Sequence, residues 1–438
     1  MDIPDGNAAR LSAKMNRAAT CSWRLLGWGI GLAALAGGAA PAPAGTNPPS
    51  VSQVAFAPNL PLVFLQTTNP IAAGLTVPGR LTVRCPPRVA CGATNALAAQ
   101  VRFHGSTSLG YAKKSFAVAL DAPVRLLDLR TDTHWVLNAA YIDRSLMRHK
   151  LAYDLFRSLA STNGGRFAAG SRFVELFLDG RYHGVYVLME QVDRRLLELR
   201  SYTSNDVAHA CIHKAIDHAA NFAQAGHAGY DQREPDPLAR PYWQPLDALT
   251  EFVSSASDAE FFRPEGGISA RLDLDNAIDF HLLVLVTSNG DGITKNYFLA
   301  RNGQASGPVR QRFFFAPWDY DGTFGRNWDG NPFPHTAWLS NHLFDRLLGH
   351  APYRARFVAR WKRLRVREFS AQAIQRMIGD NVRTLGEAAR RNVVRWPTTG
   401  EGYPDQLSFE EDIAQMKSWI EARIQWLDAE ISKLGQAQ

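Results

Sequence analysis

The chain has 438 residues, 46% of them hydrophobic and 20% charged, with 11 Trp, 12 Tyr and 23 Phe. At roughly 100–200 residues per domain this length allows two or three domains. The apolar and aromatic content excludes a wholly disordered chain and a collagen or coiled-coil repeat. Four Cys are too few for a disulfide scaffold, and a net charge of +7 does not by itself call for nucleic acid.

The first residues read as a secretory signal over 1–44, with an over-extended start before Met15. Arg17 and Arg24 form the positive region, residues 25–40 the apolar stretch, and Ala40-Pro-Ala-Pro-Ala44 the small residues a signal peptidase needs. The competing reading is an uncleaved anchor, but the Gly-rich stretch is a weak span. The expected protein is therefore exported (periplasmic, envelope or extracellular), with no stable membrane span in the mature chain. Residues 45–54 read as a linker. Export would permit a disulfide between Cys85 and Cys91, which flank a short Pro-containing loop. Cys211 has no obvious partner.

A β-rich half is expected over 55–194. Leu60-Pro-Leu-Val-Phe-Leu65 reads as a buried strand, and strands at 99–103 and 115–120 flank a Gly/Ser loop. Residues 143–160 carry Leu146, Met147, Leu151, Leu155 and Leu159 at helical spacing. Two apolar strands, 173–178 and 184–189, are separated by a turn beginning Asp179-Gly180, a good hairpin signal. The segment 195–350 follows, with a buried helix over 275–288 capped by Asp273 or Asp275. Strands are expected at 293–301 and 312–317. From 351 to 438 the spacing is helical, and Ile413, Met416, Ile420, Ile424, Leu427, Ile431 and Leu434 stripe the last helix. Residues 351–398 hold 12 Lys and Arg against 3 Asp and Glu. Such a segment is either a solvated helix surface or a docking face for an acidic partner.

Two segments carry chemistry. In Ser288-Asn-Gly-Asp-Gly-Ile-Thr-Lys-Asn296, Asp291 and Asn296 have the Asp-x4-Asn spacing of a protein-kinase catalytic loop. In Phe313-Phe-Phe-Ala-Pro-Trp-Asp-Tyr-Asp321, an apolar strand delivers Asp319 and Asp321 into a Gly-containing turn. Magnesium prefers one or two carboxylates plus phosphate oxygens. The ordered set points to metal–phosphate chemistry. His104-Gly-Ser-Thr-Ser-Leu-Gly110 is a candidate phosphate cradle. Lys113 and Lys114 behind it, and Lys214 on an apolar run, are candidate phosphate cations. Residues 188–193, with Glu190, have the look of a hinge that could hold a purine.

These segments, with Lys113-Lys-Ser-Phe116, Trp135-Val-Leu-Asn138, Asp143-Arg-Ser-Leu-Met-Arg148 and Arg395-Trp396, resemble the CotH kinase family, over about residues 55–435. The resemblance implies an α+β, atypical protein-kinase-like fold of two lobes, β-rich then helical, with extra C-terminal helices. It implies transfer of the ATP γ-phosphate to a protein Ser/Thr hydroxyl, with Mg²⁺ or Mn²⁺. By motif, Asp291 would be the base, and Asn296 with Asp319 would hold the metal. Element order makes Lys114 the nucleotide lysine, with Lys214 as the alternative. The expected first helix has no Glu to pair with that Lys, so Glu190 or Asp154 would substitute, or Arg148 would reach phosphate directly. The acceptor is expected to be a protein, with a polysaccharide or small molecule as alternatives and no role for nucleic acid. Aromatic loops holding Tyr230, Tyr242, Trp243, Trp328 and Trp338 could stack on sugars or cover the core. Competing readings are a non-catalytic envelope or adhesion protein on the same fold, and a metal-dependent hydrolase using Asp319 and Asp321 together.

Overall fold

Strands β1 (Leu62–Thr67), β2 (Val77–Arg84), β3 (Leu97–His104), β4 (Ser115–Arg125) and β5 (Thr131–Asn138) form an antiparallel meander. After helix α1 (Arg148–Ser158), the hairpin β6 (Ser171–Leu178) and β7 (Arg181–Glu190) completes it. The order β1-β2-β3-β4-β5-β7-β6 closes through a parallel pairing of Leu62–Leu65 with Glu175–Leu178. These are features of a computed structural model describing residues 59–87, 89–159, 165–200, 209–303, 311–398 and 407–436. The expected signal at 1–44 and linker at 45–54 lie outside the described residues.

Alternation of side chains along each strand fills the barrel. Val63, Leu65, Leu81, Val83, Val101, Phe116, Val118, Trp135, Val174 and Leu188 form its interior. At the hairpin tip, Asp179 (φ 48°) and Gly180 (φ 78°) take the two left-handed positions that a tight turn requires. Asp179 also accepts the N–H of Thr67 at 2.7 Å. The β-rich half is thus a closed barrel of seven strands.

A second sheet, in the order β11-β10-β8-β9, comprises β8 (Cys211–Ala215), β9 (Tyr230–Glu234), β10 (Tyr297–Arg301) and β11 (Phe314–Pro317). Around it pack α2 (Gln244–Ser255), the one-turn helices α3 (Asp258–Phe261) and α4 (Ile268–Arg271), and α5 (Leu274–Thr287). Four further helices follow: α6 (His342–Gly349), α7 (Ala351–Arg365), α8 (Ala371–Leu385) and α9 (Glu387–Arg395). The last, α10, runs Phe409–Gln436. The described residues fall in one compact unit.

Helix α5 is buried on all sides from Asn276 to Thr287. Asp273 caps its start by accepting from the N–H groups of Asp275 and Asn276, and Ser288 ends it at φ 54°. The Asn276 amide donates to the Phe315 carbonyl at 3.0 Å and accepts the Phe315 N–H at 2.6 Å. The helix leading to one expected loop is thereby stitched to the strand leading to the other. Cys85 and Cys91 are disulfide-bonded, and Cys211 is a buried free thiol. Among the described residues no helix is long and apolar enough to cross a membrane.

Candidate active site

Strands β10 and β11 deliver the two sequence signals to one place. Their register pairs Tyr297 with Pro317, and the Trp318 N–H continues the ladder onto the Asn296 carbonyl at 3.0 Å. The Asp291–Asn296 loop enters β10 where the Trp318–Asp321 loop leaves β11. Two more tethers join them: the Asn289 amide donates to the Asp319 carbonyl at 3.2 Å, and the Phe324 N–H to the Thr287 carbonyl at 2.7 Å. Asn296 and Asp319 both hold φ 59°. For non-glycine residues this region is sparsely populated, and Asn and Asp tolerate it best.

Asp319, Asp321 and His149 each bring a ligand-type atom to within 4.8 Å of the others. The histidine is not equivalent to the carboxylates. Its Nδ1 accepts the Tyr320 N–H at 2.9 Å. A backbone N–H can only donate, so the ring proton belongs on Nε2, which lies 3.7 Å from Asp319 Oδ1. Burial lowers the pKa of His149, which keeps the ring neutral. His149 therefore holds the loop through the Tyr320 N–H, and Tyr153 holds it by accepting the Asp319 N–H at 3.0 Å.

Asp321 accepts the Gly322 N–H at 2.8 Å, and among the described residues no cation pairs with it. Burial, then the charges of Asp319 and Asp143, push its pKa well above the ordinary carboxylate range. A divalent cation would relieve that crowding, and a carboxylate pair is the donor set a hard ion prefers. The residues present therefore fit Mg²⁺ or Mn²⁺, held by Asp319 and Asp321.

Asp291 lies beside Lys295 at 3.0 Å and His218 at 3.6 Å, and it contributes to the crowding of Asp321. Lys214, on β8, runs over the Trp318 ring at 5.5 Å and the Phe298 ring at 5.9 Å. Burial lowers its pKa, and the charge of Asp319 works against that. His104, at the end of β3, meets Trp318 edge-on and is lowered to about 4 by burial, then by Lys214 and Arg102. Burial raises the pKa of Tyr111, and Asp321 and Asp319 raise it further. Its ring stacks on Tyr141 with centroids 5.3 Å apart.

The structure thus brings Asp291, Asn296, Asp319 and Lys214 to one site. Four other expected residues are engaged elsewhere. Lys114 Nζ donates to the carbonyls of Leu109 and Tyr111, within its own loop. Arg148 is 1% exposed and locked to Asp143 and Asp412, each at 2.6 Å, so it does not reach toward phosphate. Glu190 accepts the N–H groups of Arg130 at 2.9 Å and Gly170 at 2.8 Å, anchoring strand ends rather than holding nucleotide. Lys113 is buried, donating to the carbonyls of Ala139 and Val185 and to the Asn392 amide oxygen. Sequence reasoning missed His149, Tyr153 and Asn289. His149 and Tyr153 are four apart on α1, but that spacing also describes a core-facing stripe. Of the aromatic candidates, Tyr230 is core, whereas Trp328 is 49% exposed and its backbone abuts Gly322.

A carboxylate pair, a facing Asp-x4-Asn loop and a half-buried lysine define a candidate metal–phosphate centre on a mixed α+β fold. The family profile described as CotH kinase protein matches residues 101–427, and the chain belongs to that family. It is 29% identical over 240 residues to the inner spore coat protein H of Bacillus subtilis (strain 168). That match covers 52% of this chain and 60% of the relative.

Proposed function

We propose that this protein is an exported CotH-type kinase, a two-lobed kinase-like enzyme transferring the γ-phosphate of ATP to a protein Ser/Thr hydroxyl. The convergence of Asp291, Asn296 and Lys214 on the Asp319–Asp321 pair carries the reading. Family membership supports kinase chemistry. The relative's name, a coat protein, agrees with an exported or surface-associated setting, as does the Cys85–Cys91 disulfide.

In this reading Asp319 and Asp321, with the Asn296 amide oxygen, would hold Mg²⁺ or Mn²⁺, which neutralises phosphate charge when bound. His149 and Tyr153 fix the loop that carries Asp319, through the Tyr320 and Asp319 N–H groups. Lys214 takes the phosphate oxygens as a point charge. Asp291 accepts the proton of the acceptor hydroxyl as its oxygen bonds to the γ-phosphorus. The bond to the β-phosphate oxygen breaks, and ADP leaves with that electron pair. Most of the rate enhancement then comes from position and charge placement.

The Asp319–Asp321 pair also favours a second reading, a metal-dependent hydrolase. One assay separates the two. With labelled ATP, Mn²⁺ and a mixed-protein acceptor, the kinase reading expects label on protein, lost in Asp291→Asn and Asp319→Ala. Free phosphate without labelled protein would support hydrolysis. No turnover by a folded protein that also shows no metal-dependent ATP binding would favour the non-catalytic envelope protein.

A further inference from the structure

We infer that the C-terminal helix α10 is a structural part of the metal site, and that Asp412 is a positioning residue for the Asp319–Asp321 loop. The inference rests on the metal-site reading above. Four charges meet in the interior: Asp143, Arg148, Arg326 and Asp412, each no more than 6% exposed. Arg148 grips Asp412 with two nitrogens, Nη1 to Oδ2 at 2.6 Å and Nη2 to Oδ1 at 2.8 Å. Its Nη1 also meets Asp143 Oδ1 at 2.6 Å, and its Nε donates to the Thr323 carbonyl at 2.9 Å. Thr323 is two residues beyond Asp321. On the far side of the same loop, Arg326 Nε lies 3.5 Å from Asp412 Oδ1, and Arg326 Nη2 donates to Gln415 Oε1 at 2.6 Å. The loop is held at both shoulders by groups fixed to Asp412.

The same face of α10 continues the contact. Trp419 covers Gly325, where an added Cβ would come within 2.8 Å of the indole, and its Nε1 donates to the Phe333 carbonyl at 2.9 Å. Arg423 is fully buried and donates from Nε to the Leu285 carbonyl at 2.7 Å, in the last turn of α5. A cation there also complements the negative end of the helix. From Nη1 it reaches the His335 and Ala337 carbonyls at 2.6 and 2.8 Å. Positions 412, 415, 419 and 423 share one helix face. That face supports the metal loop, the segment returning from it, and the helix end that launches the Asp291 loop. A balanced buried quartet is a poor source of stability compared with apolar packing, but removing one member leaves an unpaired charge. Its placement fits a device that fixes geometry.

The test is Mn²⁺ affinity of the whole protein, measured well below its melting temperature, with amide exchange of residues 318–326 followed alongside. Asp412→Asn is expected to weaken Mn²⁺ about 10-fold or more, as lost outer partners of metal ligands do. Exchange should speed in 318–326 and stay unchanged in the barrel strands. Asp412→Glu should recover part of the affinity. Should Asp412→Asn fail to fold, Gln415→Ala, which leaves the quartet intact, decides: a smaller loss of affinity with faster exchange at 318–326 supports the inference. Lower melting temperature with wild-type affinity and wild-type exchange would make the helix merely structural and overturn it. A wild-type protein that binds no Mn²⁺ would overturn both this inference and the metal-site reading beneath it.

Discussion

Asp319 and Lys214 show what single residues in this sequence reveal. Trp-Asp-x-Asp after an apolar strand marks a loop carboxylate, and the structure puts Asp319 beside the Asp291 loop. Choosing the lysine was beyond local pattern: Lys114 leads from the Gly/Ser loop into β4, the order the resemblance favours, whereas Lys214 sits near the end of β8. Only the pairing of β8 with β10, Lys214 opposite Phe298, carries one of them to Trp318 and Asp319. The expected outcome is that Lys214→Ala weakens ATP binding about 10-fold or more, the scale of one charge-assisted hydrogen bond. Lys114→Ala should leave it near wild type. Titration of a fluorescent ATP analogue checks this, and the reverse ranking would contradict the assignment. His149 was illegible for another reason. A histidine among Leu146, Leu151 and Leu155 reads as core, and only its bond to the Tyr320 N–H reveals its tautomer and its task.

Elements with strong local chemistry were legible. The Asp179-Gly180 turn, the Asp273 cap and the apolar stripe of α10 all appear where the sequence predicts them. Helix α1 starts later than its apolar spacing suggested, at Arg148. Asp143 instead organises a turn, accepting from the N–H groups of Ser145 at 3.0 Å and Arg148 at 2.8 Å. Barrel closure had no local signal, since the β1–β6 pairing joins segments more than 100 residues apart. Asp179 helps to fasten that seam through Thr67. Asp179→Ala loses both the acceptor and a residue tolerant of positive φ, and is expected to cost about 1–3 kcal/mol in chemical denaturation. A change under about 0.5 kcal/mol would show that the seam holds without it.

For the whole molecule, the cationic segment 351–398 is mostly solvated helix surface, and four of its arginines pair with acids from other segments. Arg356 meets Asp275 at 2.7 Å, Arg360 meets Asp279 at 2.6 Å, Arg365 meets Asp428 at 2.8 Å and Arg391 meets Glu175 at 2.7 Å. These partners lie in distant segments, so a count of charges along the chain could not show them. Histidines give the fold a second global property. Burial is the largest cause lowering His104, His183, His213 and His281, each to about 4 from an ordinary 6.5. Between those values the unfolded chain binds more protons than the folded one, so stability is fully present above about pH 6.5 and is lost as pH falls toward 4. Melting temperature should drop steeply over that window. A flat profile there would contradict the burial of neutral imidazoles.

The central claim is that Asp319 belongs to a site joining metal and nucleotide. Its most direct test is the thermal shift of the folded protein with ATP, in the presence and absence of Mg²⁺ or Mn²⁺, beside Asp319→Ala. A ligand that binds only the native state raises the melting temperature by mass action. The expected result is a rise with ATP that requires the metal and disappears in the variant. A folded protein that shows no rise under either metal, or a rise that survives Asp319→Ala intact, would contradict it.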